Sequence, residues 1–231
     1  MNTISRFVCA ALLAVPMAAS AASAQRITLA GMKGSFGEVA LLTTDPLEKQ
    51  KVEWKATGKG NYDEFFERAA LMDAGMVVSQ AFTEALTTNL KGYARSFAAE
   101  KATDEAVKEI VGDTPPEKLS DEQSVALLAL KKKQDKLNGE ETTFVAKSLL
   151  SAAVVGSFLA KVPDDSKALA QTGAGLVQSV PSDFKGLQAV KAPIVTASLR
   201  EAGSHLQDAS TRAPEIAKGL ARLVEALKSL Q

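Results

Sequence analysis

Apolar and small residues recur at alternating steps of four and three along the first half of the chain. The row comprises Phe65, Ala69, Met72, Met76, Ser79, Thr83, Leu86, Leu90, Tyr93 and Phe97. Steps of three and four place side chains on one side of an α-helix, and that side has to be buried against another helix. The row therefore predicts a long helix packed against a partner helix.

This long helix is predicted to begin at Asn61 and to end near Gly112. Asn61 and Glu64 fit a capping box, in which each side chain binds a backbone N–H of the first turn. If continuous, the helix has about 50 residues and is about 75 Å long. Gly75 and Gly92 lie in its interior and are the expected bend points.

Prolines divide the rest of the chain into shorter predicted helices, because proline lacks an N–H and clashes with the preceding turn. Ser120 and Gln123 supply a second capping box, and Asn138-Gly139 ends that helix. We expect helices from 120 to about 136, 140 to 161, 163 to 179, 183 to 191, 193 to 211, and 214 onward. The predicted fold class is all-α, a bundle of about six helices with one long N-terminal helix.

The first 24 residues have the features of an export signal. Arg6 precedes an apolar stretch at 7–19, and Ala22-Ser23-Ala24 supplies a cleavage pattern. The stretch is too short to span roughly 30 Å of hydrocarbon. Cys9 follows Arg-Phe-Val instead of the small residues of a lipoprotein signal. We therefore expect an exported protein, periplasmic or secreted, without a lipid anchor.

The chain is thus predicted to have three parts. Residues 1–24 are the signal peptide, 25–60 form an irregular or β-containing segment, and 61–231 form the helical bundle domain. Glycines and Asp45-Pro46 interrupt the middle part, in which short strands fit 26–30, 38–43 and 51–56. Trp54, Tyr62, Phe65 and Phe66 are expected to cluster where this segment docks, either as core or as the wall of a ligand cleft.

Charge and motifs argue against nucleic-acid and nucleotide binding. Removal of Arg6 leaves 27 − 1 = 26 Lys plus Arg against 27 Asp plus Glu, so no excess of positive charge attracts phosphates. Gly34–Val39 matches half of a kinase glycine loop, but Met32 replaces its first glycine and the other kinase motifs are missing. The stretch TGKGN lacks the P-loop frame. We expect no nucleotide and no cofactor.

Catalytic and metal-binding residues are scarce. His205 is the sole histidine, with Glu201 and Asp208 one helical turn away on either side. One exposed turn with three such side chains makes a poor metal site. The sequence shows no combination of nucleophile, base and orienting residue. We therefore expect neither an enzyme nor a metal site.

Two function classes remain. The favoured one is protein–protein interaction or scaffolding in the bacterial envelope, with a partner protein or a second copy of the chain. It would use one side of the long helix, called here the interaction stripe: Met72, Met76, Ser79, Thr83, Leu86, Leu90, Tyr93 and Phe97. Two methionines in the stripe favour a surface that can repack around a partner.

The alternative class is a carrier of apolar ligands such as lipid, or a membrane-interacting bundle. It would use the predicted helix 140–161, which carries no charge from Ser148 to Ala160. The residues concerned are Ser148, Ala152, Val155, Gly156, Phe158, Leu159 and Ala160. Small residues four apart allow close approach of another helix. Thirteen residues rise only about 20 Å, so the same pattern also fits a central core helix.

We predict that the exported protein begins at Gln25. Cleavage after Ala24 leaves 231 − 24 = 207 residues. Intact-mass measurement of the protein purified from the cell envelope checks this, with Ala24→Asp as an uncleaved control because a charged residue blocks the small-x-small site. Recovery of an envelope protein that still begins at Met1 would contradict the signal-peptide prediction.

Overall fold

The computed structural model describes residues 56–135 and 137–230. Within these ranges it has five α-helices and no strand: α1 Gly60–Glu100, α2 Glu105–Val111, α3 Asp121–Gln134, α4 Gly139–Asp183 and α5 Ala192–Ser229. Two 3₁₀ helices lie at Pro116–Lys118 and Gly186–Lys191. The all-α prediction is confirmed for the described residues. The predicted signal peptide, and residues 25–55 of the predicted irregular segment, lie outside them.

Helices α4 and α5 form an antiparallel hairpin, and they share the most extensive helix–helix contact. Helix α1 packs on both. It runs antiparallel to α4, since Tyr62 lies beside Leu176 and Tyr93 lies beside Phe144. It runs parallel to α5, as the neighbouring positions 73 and 205, and 80 and 212, show. With 45 residues, α4 is about 68 Å long.

Helix α3 covers the C-terminal half of α1, and α2 packs on α3. Lys91 forms an ion pair of 2.8 Å with Asp121 at the start of α3. The predicted capping box of α3 is confirmed, because Ser120 Oγ accepts from the N–H of Gln123 (3.1 Å) and Gln123 Oε1 accepts from the N–H of Ser120 (3.0 Å). This cap fixes where α3 starts and so which of its residues face α1.

The predicted long helix is shorter than expected at its C-terminal end. Helix α1 ends at Glu100, and Asp104 caps the separate helix α2 by accepting from the N–H of Ala106 (2.8 Å). The physical reason is that an aspartate side chain competes for backbone N–H groups, which favours a new helix start over continuation. The helical pattern that reaches Gly112 in the sequence is therefore divided between two helices, α1 and α2.

The predicted break at Asn138-Gly139 also needs correction. Helix α3 ends at Gln134, and Asn138 instead caps the start of α4. Asn138 Oδ1 accepts from the N–H of Glu141, and Glu141 accepts from the N–H of Asn138, both at 2.9 Å. Glu141 is buried and also pairs with Lys131 of α3. This pair joins the two helices across their short connection.

Prolines do not divide the second half of the chain as predicted. Helix α4 continues through Pro163 and Pro181, and α5 continues through Pro214. Each interior proline costs about 3 kcal/mol, but buried and half-buried positions on both sides follow one row at steps of three and four. The buried residues of that row in α4 include Leu159, Val162, Ser166 and Leu169, and those in α5 include Leu206, Ala209, Ala213 and Leu220. The predicted helix at 183–191 is the 3₁₀ helix Gly186–Lys191.

We predict opposite effects for two glycines of α1. A Cβ on buried Gly75 would overlap the ring of Phe158, whereas a Cβ on exposed Gly92 would have no neighbour within 4 Å. Gly92→Ala should raise the free energy of unfolding by up to about 1 kcal/mol, the helix-propensity gain. Gly75→Ala should lower it by about 1–2 kcal/mol, because overpacking exceeds that gain. Urea unfolding measures both, and equal stabilisation by the two would contradict the α1–α4 packing.

Candidate functional site

The interaction stripe lies inside the bundle. Six of its members are buried and Thr83 and Tyr93 are half-buried. Ser166 Oγ of α4 donates to Met72 Sδ at 2.9 Å, and the rings of Tyr93 and Phe144 are 5.1 Å apart. The stripe thus contacts the chain's own helices, so a partner would have to displace one of them to reach it.

Two hydroxyls in this stripe bind the backbone of their own helix. Ser79 Oγ donates to the carbonyl of Gly75 at 2.8 Å, and Thr83 Oγ1 donates to the carbonyl of Ser79 at 2.9 Å. A hydroxyl satisfied in this way can be buried without a partner on the facing helix. Ser79 and Thr83 therefore pack as small side chains where α1 contacts the facing helices.

The residues predicted to form an apolar ligand helix point in several directions from α4. Ser148, Ala152, Val155 and Leu159 are buried, Gly156 and Phe158 are half-buried, and Ala160 is exposed. A step of four residues turns about 40° around the axis, so a row at this spacing leaves the buried face after two steps. The row of small residues is therefore not one continuous contact, and a Cβ at Gly156 would have no neighbour within 4 Å.

Helix α4 is not surrounded on all sides, as a central core helix would be. Leu150 is 46% exposed, and Ala153 beside it is also exposed. In the described part of the chain α4 alone is long and apolar enough to cross a membrane, and 39% of its most apolar stretch is buried in the bundle. Between Ser148 and Ala160 its outer side is thus uncharged and mostly apolar.

A cleft of about 520 Å³ lies between the N-terminal halves of α1 and α5. Its apolar lining consists mainly of Phe66, Ala69 and Ala70 of α1 and of Val195 and Ala202 of α5. Three alanines in facing positions leave space between the two helices where larger side chains would fill it. Sequence reasoning placed Phe66 beside a possible cleft and missed the α5 wall, which is more than 100 residues away along the chain.

Charged side chains lie around this cleft. Asp73, Lys191, Glu201 and His205 all line it, and His205 Nδ1 lies 3.7 Å from Asp73 Oδ1. Both members of that pair are more than half exposed. In residues 56–135 and 137–230 no three His, Cys, Asp or Glu side chains are grouped to hold a metal ion.

The chain enters the cleft through a fixed turn just before α1. Asp63 Oδ1 accepts from the N–H (2.6 Å) and the hydroxyl (2.8 Å) of Thr57, and Asp63 Oδ2 accepts from the N–H of Gly58 (3.2 Å). Gly58 has a φ of 81°, which glycine adopts without strain. The predicted capping box of Asn61 and Glu64 was wrong, because the helix begins one residue earlier. The carboxylate of Asp63, and not that of Glu64, accepts hydrogen bonds from the backbone before the helix.

Tyr62 joins the start of α1 to the end of α4. Its hydroxyl lies 2.9 Å from Asp183 Oδ2 and 3.2 Å from the carbonyl oxygen of Leu176. Its ring meets that of Phe184 edge-on, with 5.2 Å between centroids. The side chain is fully buried, so these contacts fix the end of the bundle that carries the cleft.

An apolar edge is formed by Leu187, Val190 and Ile194, at the turn between α4 and α5. These side chains are 99%, 78% and 69% exposed. Their spacing of three and then four places them on one side of the 3₁₀ helix and the first turn of α5. Ile194 also lines the cleft, whereas the other two do not. The spacing of these three residues is visible in the sequence, but only the structure shows that no described part of the chain covers their side chains.

No family model, curated protein or solved structure matches this chain. Its function is therefore inferred from the cleft, the apolar edge and the outer side of α4.

We predict that Tyr62 keeps its proton well above the usual range. Burial, followed by the hydrogen bond to Asp183 and its negative charge, raises the Tyr62 pKa from 10 to about 12. Because the folded pKa is the higher one, the stabilisation is complete below pH 10 and is lost as the pH rises from about 10 to about 12. The chain has two tyrosines, so Tyr93→Phe leaves Tyr62 as the only phenol in a spectroscopic titration. A phenol that titrates near 10 in the folded protein would contradict this burial.

Proposed function

We propose that the protein is an exported, non-enzymatic interaction module that binds a partner protein through the apolar edge of Leu187, Val190 and Ile194. The observation that carries the proposal is the exposure of three large apolar side chains on one side of a short turn. Single exposed apolar residues are common, but a contiguous group of them is typical of an interaction surface.

The charges beside the apolar edge indicate the chemistry of the partner. Lys185 and Lys191 are exposed on either side of Leu187 and Val190, and no acidic residue occurs from 184 to 200. We therefore expect a partner segment with apolar residues next to Asp or Glu, since complementary charge guides association. The hairpin of α4 and α5 holds the edge in place, so binding does not require the bundle to open.

This proposal keeps the function class predicted from the sequence and assigns it to a different surface. The interaction stripe is covered by the chain's own helices α3, α4 and α5, whereas the apolar edge is exposed. Export rests on the signal-peptide features of residues 1–24. The absence of any excess positive charge in the mature chain favours a protein partner over nucleic acid.

A photo-cross-linking residue at Val190 of the exported protein tests the proposal in its own cells. We expect a discrete protein adduct there and none at exposed Ala168 of α4, the matched control. Leu187→Ser with Ile194→Ser should reduce the adduct at least severalfold. The same variant should unfold within about 0.5 kcal/mol of the wild type, because exposed side chains contribute little to folding.

The adduct also identifies the kind of partner. Mass spectrometry of the cross-linked peptide should show apolar residues beside acidic ones, and a peptide of this same chain would assign the edge to self-association. No adduct at Val190, or one that persists unchanged in the double variant, would contradict the proposed edge.

Membrane or lipid binding through α4 is the second candidate. The observation in its favour is that Leu150, Ala153 and Ala160 are exposed within the uncharged run from Ser148 to Ala160. Such a surface suits shallow contact with lipid more than crossing of the membrane, because the opposite side of α4 is buried against α1 and α5. Placing the cross-linker at Leu150 separates the two candidates, since a lipid adduct there without a protein adduct at Val190 favours this one.

A further inference from the structure

The described chain begins inside the cleft between α1 and α5. Ala56 and Thr57 both line the cleft, and Lys191 Nζ of the opposite wall lies 3.5 Å from the carbonyl oxygen of Thr57. The bonds from Asp63 to Thr57 fix the position of this first turn. The described chain therefore begins at the cleft and not at an open end of the bundle.

Trp54 is close enough to reach the cleft. It precedes Ala56 by two residues, so the two Cα atoms are at most about 7 Å apart. In an extended chain, residues two apart point to the same side, which would place Val52 and Trp54 together. Each large aromatic side chain has 150–250 Å² to bury, roughly, and burial is favourable.

The lining of the cleft suits these side chains. Ala69, Ala70 and Ala202 leave space for a flat ring, and Phe66 offers an aromatic edge or face. Ile194, at the end of the cleft nearest the turn, is 69% exposed and has a large apolar surface available.

Charges along the segment and around the cleft are complementary. The sequence Lys51-Val52-Glu53-Trp54-Lys55 alternates apolar residues with cations and one anion. The cleft presents the carboxylates of Asp73 and Glu201 and the cation of Lys191. Carboxylates can pair with the lysines of the segment while Lys191 pairs with Glu53.

We propose that residues 51–55 of this chain bind in the cleft, with the indole of Trp54 between α1 and α5 over Ala70 and Ala202. The cleft is then a docking site for the chain's own N-terminal segment. Leu187 and Val190 do not line the cleft, so most of the apolar edge stays available to a partner. The inference does not depend on the proposed function, and its test uses no partner.

The intrinsic fluorescence of the mature full-length protein tests the docking, because Trp54 is the sole tryptophan. We expect blue-shifted emission in buffer relative to the urea-unfolded protein. We also expect the acrylamide quenching constant to be severalfold lower than in urea. A tryptophan equally accessible in both states would overturn the proposal.

Two alanine variants then locate the protected tryptophan. Ala202 and Ala217 are both half-buried on α5, but only Ala202 lines the cleft. Ala202→Arg should shift the emission to the red and raise quenching toward the unfolded value, and Ala217→Arg should change neither. Circular dichroism confirms that both variants are helical. If Ala202→Arg fails to fold, Ser198→Arg, at another half-buried cleft position, replaces it.

The outcome of this comparison is decisive in either direction. If Ala202→Arg or Ser198→Arg exposes Trp54 and Ala217→Arg does not, the result supports docking in the cleft. A protected Trp54 that neither cleft variant exposes would lie elsewhere and would overturn the assignment to this cleft.

Discussion

The row of buried and half-buried side chains between α4 and α5 is the constraint on which the rest of the structure depends. Buried residues follow steps of three and four along α4 through Pro163, and in α5 half-buried Ile216 completes the same spacing past Pro214. Each proline costs about 3 kcal/mol, whereas each fully buried aliphatic side chain contributes about 1.5–3 kcal/mol. Several such side chains on each side of a proline keep their contacts only if the helix stays continuous, so packing outweighs the local preference.

This hairpin determines what remains available for function. Helix α1 packs along this hairpin and buries the stripe from Met72 to Phe97. The longest apolar row in the sequence is therefore not exposed. The turn between α4 and α5 then presents Leu187 and Val190 to solvent, and the gap beside α1 becomes the cleft. The strongest apolar pattern of the sequence is therefore buried within the bundle, and the exposed apolar surfaces lie elsewhere.

The sequence predicted the features that depend on short spacing. The all-α class, the buried side of α1 and the Ser120 capping box need only residues a turn apart, and the structure confirms the class and the cap. The predictions were wrong where one residue type fits two different positions relative to a helix. A proline can start a helix or lie within one, and Asn138 can end one helix or cap the next. Local signals do not separate these cases, because the deciding energy comes from the facing helix.

By itself, then, the sequence determined that this chain forms amphipathic helices with one side to bury, since periodicity alone fixes which side chains share a face. Only the tertiary structure decided how far each helix continues and which surfaces stay open. It brought His205 to Asp73 and Val195 opposite Phe66, pairs separated by more than 120 residues. The physical reason is that such contacts depend on how the hairpin of α4 and α5 aligns with α1, and that alignment is set by the summed packing of three helices.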